Sequence, residues 1–95
     1  MPTPLSTTEM QAALARLPGW KHEGDKLKKD YLFADFQEAM GFVLRLAFFA
    51  EAQDHHPELF NVYNQVKIEL TTHDAGNKVT AKDVTLALSI DSLTS

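Results

Sequence analysis

The sequence predicts an α+β domain in which three helices cover one face of a four-stranded antiparallel sheet, in the order α-β-β-α-β-β-α. Three features carry that expectation. Two segments, starting at Leu5 and at Val79, open with the same helix-capping pattern. Two runs of strand-like residues are each interrupted by a short turn pair, Gly24-Asp25 in one and Asn64-Gln65 in the other. Between those runs lies a long apolar helical pattern, from Asp35 to about Gln53. A chain of 95 residues makes one domain, residues 1–95, whose modest buried fraction leaves little room for a large interior pocket.

The first helix begins at a capping box, with Ser6 as N-cap and Glu9 three residues on, and Leu5 with Met10 fills the N′ and N4 positions of a hydrophobic staple. Met10, Ala13, Leu14 and Leu17 make one apolar stripe, which Pro18-Gly19 ends. Trp20 to Glu23 and Lys26 to Phe33 then flank Gly24-Asp25, a glycine-first pair suited to a two-residue II′ turn. Leu27, Tyr31 and Phe33 share one parity, which Lys29 interrupts. Trp20, the only tryptophan, is expected to pack between sheet and helix rather than to stack on a ligand.

Asp35 caps the next helix, with Glu38 three residues on. Phe36, Met40, Val43, Ala47 and Ala50 form one stripe and Phe42, Leu46 and Phe49 a second, with Leu44 and Phe48 apolar as well. A sheet can cover only one of these faces, so the surplus predicts a subunit interface and a homodimer or homotetramer. Pro57 cannot continue the helix, which puts His55 and His56 at its exit. Phe60 to Tyr63 and Val66 to His73 read as a second hairpin around Asn64-Gln65, with His73 on the polar parity at the strand's end. Asp74 to Lys78 is a turn-rich loop. The last helix repeats the opening pattern: Thr80 as N-cap, Asp83 at N3, and Val79 with Val84 as the staple. Val84, Ala87 and Leu88 make one of its stripes, and Leu86, Ile90 and Leu93 the adjacent one.

Composition narrows the function. The net charge of −4, with nine basic residues scattered among thirteen acids, argues against a nucleic-acid binder, and Lys26, Lys28 and Lys29 read as a solvated strand face. Without cysteine there is no disulfide, thiolate metal site or cysteine nucleophile. Met1-Pro2-Thr3-Pro4 has no signal-peptide pattern, and the longest apolar run, Leu46 to Ala50, is far too short to span a membrane. A cytoplasmic protein is expected. The four glycines are dispersed, so no phosphate loop forms, and no serine sits in a nucleophile motif.

What remains is proton chemistry. Three of the four histidines, His55, His56 and His73, fall between Glu51 and Asp83. Adjacent histidines point in different directions in a helix or a strand, so His55 and His56 are poorly placed to share one metal, and a metal site from Asp54, His55, His56 and His73 converging after folding ranks second to acid–base use, with no metal ligand assigned. Arranged around a small ligand, however, one imidazole can take a proton while another gives one. Glu51, one helical turn before His55, could orient that ring.

The residues Glu51, His55, His56, Pro57, Tyr63, His73 and Asp83, with five positions between Pro57 and Tyr63 and nine in each later gap, resemble the signature of the pterin-4a-carbinolamine dehydratases. Pro57-Glu58, Phe60-Asn61-Val62-Tyr63-Asn64 and Thr71-Thr72-His73 look like that family as well; Leu59, where many members carry tryptophan, departs from it. The resemblance implies dehydration of 4a-hydroxytetrahydropterin to the quinonoid dihydropterin in tetrahydropterin recycling, without a metal or cofactor. It implies acid–base catalysis by His55 and His73, substrate polarisation by His56 and support from Glu51. Asp54, Thr72 and Asp83 are expected beside the substrate with His56, and Asp83 has an equal explanation as a helix cap. Tyr63 is expected to be scaffold. The resemblance also admits a second reading, a non-catalytic dimerisation, assembly or co-regulator protein on the same fold.

Overall fold

Helix α1 (Thr7–Ala15) starts where the capping box predicts: the Ser6 hydroxyl accepts from the Glu9 N–H at 3.1 Å, and the Glu9 carboxylate accepts from the Ser6 N–H at 2.8 Å. The structure, a computed structural model, describes residues 2–94; Met1 and Ser95, the ends of the expected domain, lie outside the described residues. α1 stops short of Pro18, and Leu17 is buried from the turn that follows. Strands β1 (Lys21–Glu23) and β2 (Lys26–Leu32) form the first hairpin. Its turn corrects the expected II′ form, because Gly24 and Asp25 both have positive φ, 59° and 60°, as type I′ requires. The Lys78 ammonium donates to the Asp25 carboxylate at 2.9 Å and holds its pKa below the usual range.

Helix α2 (Phe36–Ala52) is capped by Asp35, which accepts from the Glu38 N–H at 2.8 Å. Glu38 in turn accepts from the Ala34 N–H at 3.1 Å, so the cap is not the reciprocal box. β3 (Glu58–Val62) and β4 (Gln65–Leu70) form the second hairpin, with its turn at Tyr63-Asn64, one residue earlier than expected. Tyr63 takes φ 49°, an unfavourable conformation for a bulky residue. The Asn61 side-chain amide braces that turn, donating to the Gln65 carbonyl at 2.9 Å and to the Tyr63 carbonyl at 3.3 Å. Because β4 ends at Leu70, His73 is not on a strand but opens a 3₁₀ turn, His73–Ala75. Helix α3 (Ala81–Ser92) then begins at the second capping box, Thr80 with Asp83.

The sheet order is β1-β2-β4-β3, antiparallel throughout. Register sets Leu27, Lys29 and Tyr31 against Leu70, Ile68 and Val66, and this face meets Phe42, Leu46, Leu86 and Ile90 in the core. Complete burial of each such aliphatic side chain stabilises the fold by roughly 1.5–3 kcal/mol. Lys29 interrupts the apolar parity because its ammonium reaches the edge of the core, where it meets Asp91 at 2.9 Å. Trp20 Nε1 donates to the same carboxylate oxygen at 3.1 Å, and the Tyr31 hydroxyl joins it. Burial, and then that bond, push the Tyr31 phenol upward in pKa.

The stripes of α2 come out differently from the expectation. Ala39, Phe42, Leu46 and Ala50 face the core, whereas Phe36, Leu44 and Phe48 are 49%, 66% and 78% exposed. Among the described residues no helix is long and apolar enough to cross a membrane.

Candidate active site

The cleft begins where α2 ends. Its C-terminus is a Schellman turn in which the His55 N–H donates to the Ala50 carbonyl at 3.0 Å and the Asp54 N–H to the Glu51 carbonyl at 3.2 Å. Asp54, at φ 50°, holds the left-handed position more often given to glycine. This turn breaks the helical register and swings the two histidines apart. Glu51 therefore meets His56, with Oε1 2.7 Å from Nε2, and not His55 one turn on as the sequence suggested.

His55 is held from the other side of the molecule. Its Nε2 lies 2.5 Å from Asp83 Oδ1, across 28 residues of sequence. Asp83 is fully buried, and its Oδ2 accepts from the Thr72 hydroxyl at 2.8 Å and from the Thr80 N–H at 2.9 Å. One carboxylate thus caps α3 and anchors His55, and it offers no surface to a ligand. The Thr72 hydroxyl is likewise spent inward, on Asp83 and on Thr80 at 2.7 Å. His55 itself is 8% exposed. No described group engages its Nδ1, and among the described residues no buried side-chain nitrogen or oxygen lacks a partner, so Nδ1 reaches the surface of the cleft that His55 lines.

His73 arrives on the loop after β4. The Thr72 N–H donates to the Lys78 carbonyl at 2.9 Å and closes the loop at its base. Gly76 and Asn77, at φ 74° and 61°, turn the chain back so that Asn77 Oδ1 lies 2.7 Å from His73 Nδ1. Asp54, His55, His56, Thr72 and His73 line one open cleft of about 360 Å³, together with Pro57, Asp74 and Lys82. Of the residues the sequence singled out, Glu51 joins through His56, Asp83 sits behind the wall, and Tyr63 lies at the far end of β3. The sequence reading missed Asn77 and Lys82. The available signals were the spacing of Asn77, four residues after His73, and the place of Lys82 beside Asp83 in the first turn of α3. Among the described residues no group of three or more His, Asp or Glu side chains is arranged to hold a metal ion.

The chain is similar to known proteins along nearly its whole length. The profile of the family described as pterin 4 alpha carbinolamine dehydratase matches residues 3–93. A protein of Opitutus terrae is 56% identical over 92% of this chain and 90% of its own, and one of Solibacter usitatus is 52% identical over 98% and 97%; both are provisionally named pterin-4-alpha-carbinolamine dehydratase. The crystal structure of a Brucella melitensis protein, described as a transcriptional coactivator/pterin dehydratase, is similar with a TM-score of 0.93 at 37% identity, covering 98% of this chain and 100% of that one. The chain belongs to the pterin 4 alpha carbinolamine dehydratase family.

Proposed function

We infer that this chain dehydrates a 4a-hydroxytetrahydropterin to the quinonoid dihydropterin, in tetrahydropterin recycling, by histidine acid–base catalysis. The observation that carries the reading is the convergence of His55, His56 and His73 on one open cleft, with His55 backed by a buried carboxylate. In the reaction the bond from the 4a carbon to its hydroxyl breaks, a ring nitrogen gives up a proton, and a carbon–nitrogen double bond forms as water leaves. The nitrogen lone pair supplies the push, so only proton movement and orientation are asked of the protein, and no cofactor enters. Asp83 accepts from Nε2–H of His55 in either protonation state of the ring, so its aim is unchanged as Nδ1 gains or loses a proton. His73 handles the second proton, and His56, steadied by Glu51, polarises the substrate. Asp54 and the backbone around Thr72 bound the space the pterin occupies, and Asp83 acts through His55.

The test generates the 4a-hydroxytetrahydropterin in situ and follows its ultraviolet decay with and without protein. Acceleration is expected. The double variant H55A/H73A should lose nearly all of it while staying folded, and near wild-type turnover in that variant would sink the assignment. The same reading has the chain associate with itself through Phe36, Leu44 and Phe48 on α2. A second reading, a dimerisation or co-regulator protein, draws on that exposed face and on the coactivator half of the Brucella neighbour's description. A stoichiometric heterologous partner, together with no acceleration from folded protein, would favour it.

A further inference from the structure

We propose that Asn77 is a positioning residue for His73: its side-chain oxygen keeps a proton on Nδ1 and so leaves Nε2 as the ring atom that exchanges a proton with the substrate. The proposal rests on the dehydratase reading above. An amide oxygen has lone pairs only, so the hydrogen in the 2.7 Å contact between Asn77 Oδ1 and His73 Nδ1 belongs to the imidazole. Nδ1 carries its hydrogen in both the neutral ring and the charged one. Nε2 is then the atom whose proton comes and goes, and the ring need not turn as it does so.

The loop is built to hold this contact. Its base is closed by the bond from the Thr72 N–H to the Lys78 carbonyl, and the Asn77 N–H donates to the Thr72 carbonyl at 3.1 Å. Thr72 is also the residue whose hydroxyl binds Asp83, so the supports of His55 and His73 meet at one threonine. To reach back four residues Asn77 takes φ 61°, a region that asparagine enters at lower cost than most side chains. Strain of this kind persists where the surroundings over-determine it.

The two catalytic rings are therefore held in opposite senses. Asp83 engages Nε2 of His55 and frees Nδ1, whereas Asn77 engages Nδ1 of His73 and frees Nε2. The supports also differ in charge, a carboxylate for one ring and a neutral amide for the other. The charged and titratable groups that share the cleft with His73 are Asp74 on its own turn, Asp54, His55 and His56 after α2, Glu58 at the start of β3, and Lys82 on α3.

The test compares N77G, N77D and H73A in the dehydratase assay, with kcat, KM and the pH–rate profile read for each. Glycine accepts the left-handed backbone, so N77G removes the acceptor and keeps the turn. N77G should lower kcat by about tenfold with KM little changed, a fraction of the ~10²–10⁴ that a positioned acid–base group supplies. It should add nothing in the H73A background. An aspartate can only accept, so N77D should restore kcat to within about threefold and move the limb that follows His73 ionisation to higher pH, since a nearby carboxylate favours the charged ring. Wild-type kinetics in N77G, an undiminished N77G effect on top of H73A, or N77D as impaired as N77G would each overturn the proposal. Nitrogen-15 shifts of the His73 ring settle it without turnover, with the Nδ1–H tautomer expected in the wild type and lost in N77G. A wild-type chain that fails to dehydrate the pterin yet shows that tautomer would overturn the activity and leave the positioning standing; a mixed tautomer would overturn the positioning whatever the activity.

Discussion

Each cleft histidine has one ring nitrogen on an acceptor, and the three acceptors differ in burial. Asp83 is fully enclosed, whereas Glu51 and Asn77 lie at the surface with the rings they hold, His56 and His73. Activity and stability should separate accordingly. D83A removes the acceptor of three hydrogen bonds and should cost about 2–4 kcal/mol in a urea titration, with kcat falling too. H73A should move stability by no more than about 0.5 kcal/mol, while lowering kcat by about 10²–10⁴-fold. A D83A protein with the wild-type urea midpoint would show that the buried network is not what secures the start of α3.

At the scale of elements, the exit of α2 aims the site. Asp54 supplies the left-handed residue of that turn, so D54G should keep stability within about 0.5 kcal/mol, whereas D54V should lose about 1–3 kcal/mol because a β-branched residue resists that backbone. D54G also isolates the carboxylate: with the turn intact, a raised KM is the expected sign that Asp54 touches the pterin, and an unchanged KM would remove it from the substrate's surroundings. The elements themselves were legible, since both capping boxes, the inner parity of β2 and β4 and the extent of α2 follow from spacings of two to four residues. Turn geometry was not. Gly24-Asp25 is I′ only because Asp25 follows glycine into the left-handed region, and the second turn moves to Tyr63 against that residue's own preference. The same limit applies to the site. His55, His56 and His73 stood out by type and grouping, but their partners depend on a helix ending at Ala52, on two successive left-handed residues at Gly76 and Asn77, and on a contact to Asp83 made only by the tertiary fold.

For the whole molecule, pH bears on stability through Tyr31 at the alkaline end. Burial and the Asp91 hydrogen bond raise its folded pKa above the unfolded value. Its contribution is therefore fully present below pH about 10 and is lost as pH rises through the folded value. Calorimetry should show Tm falling more steeply above that pH, and Y31F should flatten the fall while lowering Tm near neutrality, because Asp91 loses a donor; an unchanged slope in Y31F would assign the alkaline loss elsewhere. Half-buried Lys26, raised by its bonds to Glu58 and Glu69, acts in the same direction. The bare face of α2 carries the other prediction at this scale. Sedimentation of the wild type should show a dimer or larger, and F48E should shift it toward monomer without unfolding the chain; an oligomer untouched by F48E would place the contact elsewhere.

The division between an enclosed half of the site and a superficial half has a historical consequence. In a lineage released from catalysis, His73, His56, Glu51 and Asn77 could drift at little cost, because the folded domain does not lean on them. Thr72 and Asp83 would be retained by selection for a folded chain alone. A descendant kept only for docking would then carry a half-fossil, its inner residues intact beneath a rim that had lost its chemistry.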